Sequence, residues 1–241
     1  MPHLAQFATL IAVAFVAATL AAVTGFGGAA LLLPVLVIAY GVREAIPILT
    51  VAQLVGNGSR VWFNRHSIDL PVVKWFALGG VPAALLGGFL FAVAPLRVLT
   101  RALGAFLILL VVWRHLRRTP PRMPLRGFAL LGAGSSFLSA LLGSVGPLMA
   151  PFFLAYGLVK GAYIGTEALT TVIMHVTKLV AYQQASVLTA HAWWAGAALA
   201  PAMIAGSYVG KRIVDRLPER AFIVIIELTL LAAGILFLWR G

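Results

Sequence analysis

Two sets of polar residues interrupt segments that are otherwise apolar enough to lie in lipid. The sets are Thr50, Gln53, Asn57 and Arg60 in the first half of the chain, and Glu167, Thr171, His175 and Lys178 in the second. Steps of three or four residues place the members of each set on one face of a helix. Polar side chains are costly at membrane depth, so they usually face a cavity or a partner. The spacing therefore predicts two polar helix faces that bind or conduct a polar solute.

Four of these side chains have a structural alternative to substrate binding. Arg60 and Lys178 lie near the ends of their segments, where long basic side chains can also reach the lipid headgroups. Gln53 and Asn57 could instead hold neighbouring helices together by hydrogen bonds. As substrate ligands, the two amides would supply neutral donors and the two cations would supply positive potential.

Glu167 and His175 are candidates for coupling transport to a proton. Histidine ordinarily changes its charge within the physiological pH range. A carboxylate within the membrane needs a partner, and Glu167 could pair with His175 or Lys178 of its own segment, or with Arg60 of the other half. The hydroxyl of Thr170, beside these residues, is a further neutral donor for a substrate.

Each half of the chain also has a glycine-rich turn that opens a short apolar run. A helix N-terminus exposes unpaired N–H groups and a partial positive charge, and glycines let an anion approach that backbone closely. We therefore predict that the two turns form an anion cradle, with Ser144 and Thr24 as hydroxyl donors. The predicted turn residues of this cradle are Gly25, Phe26, Gly27, Gly28, Gly143, Ser144, Gly146 and Pro147.

The elements that must position these residues are apolar runs of membrane-spanning length, about 20 residues. The runs near that length are 4–23, 46–63, 72–94, 98–113, 127–142, 162–182, 192–209 and 221–239. The runs 29–40 and 147–156, which follow the glycine turns, have about half that length. Short, Gly- or Pro-interrupted segments at matching places in two halves are typical of a transporter binding site. Whether they are re-entrant hairpins or full spans stays open.

Composition and charge indicate an integral membrane protein. The chain is 62% hydrophobic and only 10% charged, whereas a soluble domain has about 25% charged residues. The net charge of +12 comes from Arg and Lys at the ends of apolar runs, which favours membrane orientation over nucleic-acid binding. The basic stretch 114–126 is predicted to be cytoplasmic, and this orientation gives ten segments, five per half, with both termini outside.

Ordered matches between the halves predict an internal repeat. The matched pairs are Gly25 and Gly143, Gly28 and Gly146, Pro34 and Pro151, Tyr40 and Tyr156, Gly41 and Gly157, Trp75 and Trp194, Pro82 and Pro201, Gly87 and Gly206, Pro95 and Pro218, and Arg97 and Arg220. Five segments per half make the two repeats inverted in the membrane. The predicted domains are a first repeat at 1–113, a basic linker at 114–126 and a second repeat at 127–241. Six glycines outside the turns are predicted to serve helix packing; they are Gly79, Gly80, Gly87, Gly88, Gly206 and Gly210.

The residues needed for other classes of chemistry do not form a recognisable pattern. The chain has no Cys, and its His residues do not have the spacing of metal ligands or of a catalytic set. Neither a P-loop nor a dinucleotide-binding fingerprint is present. We therefore predict no enzyme activity, no metal, no cofactor and no nucleic-acid partner.

These features together resemble the sulfite exporter TauE/SafE family of membrane permeases. The resemblance rests on the Gly-Phe-Gly-Gly turn at 25–28, Pro34, and Tyr40-Gly41 before a polar span, with the echo from Gly143 to Gly157. It implies a secondary transporter of sulfite, organosulfonates or related sulfur compounds in a bacterial inner membrane. The less glycine-rich second turn leaves the exact anion open.

The combined prediction is an all-α, polytopic helix bundle that exports a small anion by alternating access. The anion would lie near mid-membrane between the two turns, with the lipid bilayer as the only other predicted partner and a homodimer as one candidate assembly. Two alternatives stay open at this point. One is transport of a cation or a divalent metal through Glu167 and backbone carbonyls, and the other is a non-transporting membrane subunit.

Overall fold

The computed structural model describes residues 2–95, 98, 123–143, 145–218, 220–221 and 224. Apart from turns and short connections, this part of the chain is helical. Its helices are α1 (Pro2–Thr24), α2 (Gly28–Tyr40), α3 (Val42–Asn64), a 3-10 turn (Arg65–Ser67), α4 (Leu70–Val93), α5 (Gly127–Leu142), α6 (Gly146–Tyr156), α7 (Lys160–Gln184), α8 (Ala190–Ala198) and α9 (Ala200–Arg216). Ser144 and most of the predicted segments 98–113, 114–126 and 221–239 lie outside the described residues.

Among the described helices, α1 and α4 are long and apolar enough to cross a membrane by composition alone. The relevant windows are Phe7–Thr24, with a mean hydropathy of 2.3, and Leu70–Val93, with 2.0. Helices α3 and α7 have comparable lengths of 23 and 25 residues. They carry the two polar faces, and this lowers their average hydropathy although both have spanning length.

The two short apolar runs are short helices, as the sequence predicts. Helix α2 has 13 residues and α6 has 11. At about 1.5 Å per residue they extend roughly 20 Å and 17 Å, against a hydrocarbon core of about 30 Å. Neither helix can therefore reach both surfaces of the hydrocarbon core, and a terminus left inside the core must find a polar partner.

The predicted single span at 192–209 is two helices, so this prediction was wrong in its continuity. Helix α8 ends at Ala198 and α9 begins at Ala200, with Pro201 in the first turn of α9. Proline has no N–H to donate to the carbonyl of Ala197, and its ring crowds the preceding turn. The backbone N–H of Leu199 instead bonds to Gly196 O, three residues back, at 3.2 Å.

Glycines bring α4 and α5 into direct backbone contact. A Cβ atom on Gly132 would overlap the carbonyl of Phe76. A Cβ atom on Gly87 would lie 2.8 Å from Phe137 O and 2.9 Å from the Cβ of Ala140. Because the contacts proceed in the same order along both helices, α4 and α5 run parallel. The expected packing role of Gly87 is confirmed.

Helices α1 and α9 pair in the same way. A Cβ atom on Gly206 would overlap the carbonyl of Phe15 and lie 2.9 Å from the Cβ of Ala18. A Cβ atom on Gly210 would lie 2.5 Å from the Cβ of Ala22. The contacts again proceed in the same order, so α1 and α9 are parallel and the expected packing role of both glycines is confirmed.

Helices α3 and α7 pack antiparallel through their polar faces. Near the end of α3, Asn64 lies against Gly165 near the start of α7, where an added Cβ would be 2.9 Å from the Cβ of Asn64. One turn earlier in α3, Arg60 meets Glu167 of α7. The members of both predicted polar sets are buried, and the two sets meet through Arg60 and Glu167.

The exposed charges separate between the two ends of the bundle. Arg126 at the start of α5 lies 5.9 Å from the ring of Trp75 near the start of α4, and Asp69 N–H before α4 donates to Thr166 of α7 at 2.9 Å. One end therefore collects most of the basic residues; these are Arg65, Lys74, Arg126, Lys160, Lys211, Arg212 and Arg216. The opposite end carries the ion pair of Glu44 with His191, at 2.8 Å. This separation fits the orientation predicted from charge.

The helix contact predicts different effects for two glycine substitutions in α5. Gly132→Leu places a side chain into the backbone of Phe76, whereas Gly134 has nothing within 4 Å of its Cβ position. Gly132→Leu and the control Gly134→Leu raise helix propensity equally, so a difference between their stabilities isolates the effect of packing. We expect Gly132→Leu to destabilise the purified protein by about 1–3 kcal/mol, measured by thermal unfolding in detergent. Equal melting temperatures for the two variants would contradict the contact.

Candidate functional site

A cavity of about 40 Å³ lies where the two glycine turns meet. Its lining combines turn residues with polar residues of α3 and α7; they include Gly25, Phe26, Gly27, Gly28, Gly143, Val145, Gly146, Gln53, Asn57, Arg60, Ser139, Glu167, Thr171 and His175. One water needs about 10–15 Å³ of such space. The cavity thus has room for about three waters, or for a solute of a few heavy atoms.

The two turns touch each other across the cavity. A Cβ atom on Gly146 would lie 2.8 Å from the Cβ of Phe26 and 3.9 Å from the backbone nitrogen of Gly27. Gly25 and Gly143, at the same place in their respective turns, have φ angles of 82° and 86°. These left-handed conformations are open to glycine at little cost. They let the chain reverse tightly between a long helix and a short one.

Both short helices begin at this cavity. Helix α2 starts at Gly28 and α6 at Gly146, and neither has a side-chain hydrogen bond that caps its N-terminus. In α2 the backbone N–H of Leu31 bonds to Gly27 O at 3.1 Å, so the N–H groups of Gly28 and Ala29 precede the first intrahelical bond. The positive ends of two helix dipoles therefore converge on one small space.

Two buried side chains at the cavity have a polar atom without a hydrogen-bond partner among the described residues. They are Gln53, at Nε2, and His175, at Nδ1. Each residue is only 4% exposed. Gln53 Nε2 is 3.3 Å from the Cβ position of Gly28, so its amide lies beside the N-terminus of α2. A buried polar atom of this kind is costly unless a ligand or water satisfies it.

The guanidinium of Arg60 is fixed by hydrogen bonds to four acceptors of the protein. Its Nη1 donates to Ala21 O at 3.0 Å, to Gly25 O at 2.9 Å and to Glu167 Oε2 at 3.3 Å. Its Nη2 donates to Asn57 Oδ1. The side chain is 4% exposed, so it does not reach the headgroups. Of the three partners considered for Glu167, the structure selects Arg60.

The hydroxyl groups around this ion pair are used mainly within the protein. Thr171 Oγ1 donates to Glu167 Oε1 at 3.0 Å. Thr170 Oγ1 donates to Glu167 O at 2.7 Å, and Thr170 does not contribute to the cavity lining. Thr24 Oγ1 lies 2.7 Å from Phe26 O, where it stabilises the first turn. Pro147 occupies the first turn of α6, a favoured position for proline.

Lys178 is fully buried behind the cavity wall. Its exposure is 0%, which excludes snorkelling to the headgroups in this structure. Its Nζ donates to Ser139 Oγ at 3.2 Å, and Ser139 lines the cavity. The sequence interpretation missed Ser139. Its signal was available, because Ser135, Ser136 and Ser139 interrupt an apolar span and polar residues at that depth usually face a cavity or partner.

The described residues contain no group of three or more His, Asp or Glu side chains that could hold a metal ion. The polar groups at the cavity are backbone N–H groups, two amides, two hydroxyls, an imidazole and the guanidinium of Arg60, and the one carboxylate in its lining is paired with that guanidinium. Chemically, this arrangement suits an acceptor-rich, negatively charged solute.

Comparison with known proteins identifies the family. The family described as sulfite exporter TauE/SafE matches residues 10–237, nearly the whole chain. No curated protein and no solved structure gives a significant match. The family consists of membrane transporters rather than enzymes. The chain therefore belongs to the sulfite exporter TauE/SafE family of membrane transporters.

Proposed function

We propose that this transporter exports sulfite or a related small sulfur oxyanion, which binds between the two glycine turns. One observation carries the proposal: the uncapped N-termini of α2 and α6 meet at a single cavity. Convergent backbone N–H groups and dipole ends bind oxyanions directly. The unpartnered amide of Gln53 adds a donor at the same place.

The charges at the cavity favour an anion over a cation. A cation would need a free carboxylate, but Glu167, the buried acid at the cavity, is paired with Arg60. Two buried cations, Arg60 and Lys178, accompany that one acid in the described part of the chain. Counted by their formal charges, these three buried groups carry one net positive charge, and a negatively charged solute in the cavity would compensate it.

The helix contacts support two inverted repeats, at 1–113 and 127–241, joined by the linker 114–126. Gly87 of α4 contacts Phe137 and Ala140, whereas its sequence match Gly206 of α9 contacts Phe15 and Ala18. The parallel pairs α4–α5 and α1–α9 are therefore exchanged when the two halves are exchanged, as an inverted repeat requires.

In the proposed mechanism the two repeats rock around the bound anion, so that its site opens to one side of the membrane at a time. The basic end of the bundle would face the cytoplasm of a bacterium, with the protein in the inner membrane. An inside-negative potential favours outward movement of one negative charge by about 2.3 kcal/mol per 100 mV. An exporter of this kind can therefore run without ATP. A homodimer remains a prediction from the sequence.

The proposed ligand role of Gln53 predicts a loss of affinity without loss of fold. Gln53→Met removes the donor beside Gly28 at similar volume, and hydrogen bonds to charged groups are worth about 1.5–3 kcal/mol. We expect the Kd for sulfite to rise at least about tenfold, measured by calorimetry on purified protein. Gln183→Met, at an exposed position of the same residue type, is the control. Unchanged affinity in Gln53→Met would argue against the amide as a ligand.

Transport of a charged anion predicts dependence on membrane potential. Proteoliposomes loaded with sulfite should release it faster when a potassium gradient with valinomycin makes the interior negative, and slower when the potential is reversed. Flux that ignores the potential would instead indicate electroneutral coupling to a proton, the role predicted for Glu167 and His175. Sulfite release no faster than from protein-free liposomes would favour the alternative of a non-transporting membrane subunit.

A further inference from the structure

We propose that the two buried cations have different tasks, in which Arg60 positions the first glycine turn and Lys178 supplies the counter-charge for the transported anion. The inference rests on the proposed anion site and assigns the charge within it. It follows from comparing the surroundings of the two cations, one from each half of the chain.

Arg60 and Lys178 occupy equivalent places in the two halves. They are 118 positions apart, the interval that separates Gly25 from Gly143 and Gly28 from Gly146. The interval shortens to 116 at Gly41 and Gly157, but α3 begins at Val42 and α7 at Lys160, so it is again 118 within the two long helices. Each is the last member of the polar set on its long helix, and each long helix follows a short helix in the chain. By its place in the chain, Lys178 is thus the second-half counterpart of Arg60.

The contacts of the two cations are equivalent as well. Arg60 reaches the last turn of α1, where it bonds to Ala21 O at 3.0 Å. Lys178 reaches the last turn of α5, where it bonds to Ser139 Oγ at 3.2 Å. Ala21 and Ser139 are themselves 118 positions apart. Each cation therefore lies against the helix that leads into its own glycine turn.

The two cations differ in whether they have a carboxylate partner. Arg60 is paired with Glu167, and the residue 118 positions before Glu167 is Leu49. Leu49 is fully buried and its Cδ2 lies 3.5 Å from the Cβ position of Gly143, one helical turn after Ser139 in α5. The position that corresponds to Glu167 in the first half is thus occupied by an apolar side chain.

Lys178 consequently has no carboxylate partner in the described part of the chain. A buried ammonium group without a counter-charge is strongly unfavourable. Its hydrogen-bond partner among the described residues is the hydroxyl of Ser139, which lines the cavity, so that hydroxyl can link Nζ to an anion in the cavity. The guanidinium of Arg60, by contrast, already has four acceptors and is neutralised by Glu167.

Sulfite affinity of variants separates the two roles. Lys178→Met should raise the Kd for sodium sulfite at least about tenfold, whereas Lys178→Arg, which keeps the charge, should retain most of the affinity. Lys211→Met removes a cation that does not line the cavity; it is the matched control and should keep the Kd within about threefold. The double variant Arg60→Met with Glu167→Gln removes the pair that holds the first turn and should lower the melting temperature. Lys178→Met should not lower it, because it removes an uncompensated buried charge. Loss of affinity with retained stability is not expected of a lysine with a purely structural role.

A second variant tests the assignment without removing either cation. Leu49→Glu places a carboxylate where pseudo-symmetry puts the partner of Lys178, and it should abolish sulfite binding by compensating the ammonium internally. Leu49→Gln, with the same shape and no charge, is the matched control and should bind sulfite. Adding Lys178→Met to Leu49→Glu should lower the melting temperature further, because the new carboxylate then loses its partner.

The outcomes distinguish this inference from the proposed function. Wild-type protein that binds no sulfite would overturn the anion site itself, and the division of roles with it. Wild-type binding that persists in Lys178→Met and in Leu49→Glu would overturn only the assignment of the charge. Loss of affinity in Lys178→Arg as large as that in Lys178→Met would also overturn the assignment, because Lys178→Arg keeps the charge.

Discussion

The structure depends on one constraint: a helix that begins inside a membrane must find a partner for its first N–H groups. In hydrocarbon each unsatisfied backbone group costs several kcal/mol. Helices α2 and α6 are too short to bring both ends to the headgroups, and neither has a side-chain cap. Their N-termini instead share one cavity with Gln53 and His175. A solute rich in hydrogen-bond acceptors can satisfy these donors together. Binding of the solute therefore also supplies the hydrogen bonds that the two helix N-termini lack.

The surrounding helices hold the two termini in place. Close glycine contacts lock α4 to α5 and α1 to α9, so each long helix that leads into a glycine turn is fixed to a partner from the other half. Arg60 joins α1, α3 and α7 by bonding to Ala21, Gly25 and Glu167. Among the described residues, the buried charges thus form a saturated cluster around Arg60 and Glu167, which maintains the turn, and a separate ammonium, Lys178, which bonds to Ser139 of the cavity lining.

Sequence periodicity predicted the helices well because lipid imposes length and composition on each. It predicted the short helices at 29–40 and 147–156 for the same reason, but it missed the break at Leu199, where the missing N–H of Pro201 interrupts one apolar run. At the site, helical spacing identified the polar faces that contain Gln53 and Glu167. It could not decide which cation Glu167 pairs with, because that depends on the packing of α3 against α7. It also could not decide whether Lys178 snorkels, because that depends on the packing of α5 against α7.

The most direct test is to locate a bound oxyanion. Selenite has the charge pattern and shape of sulfite, and selenium gives an anomalous signal, so crystals grown with selenite would mark the anion by anomalous diffraction. We expect a peak in the cavity, with oxygen atoms about 3 Å from the backbone nitrogens of Gly28 and Gly146. A peak elsewhere in the protein, with none between the two glycine turns, would contradict this account.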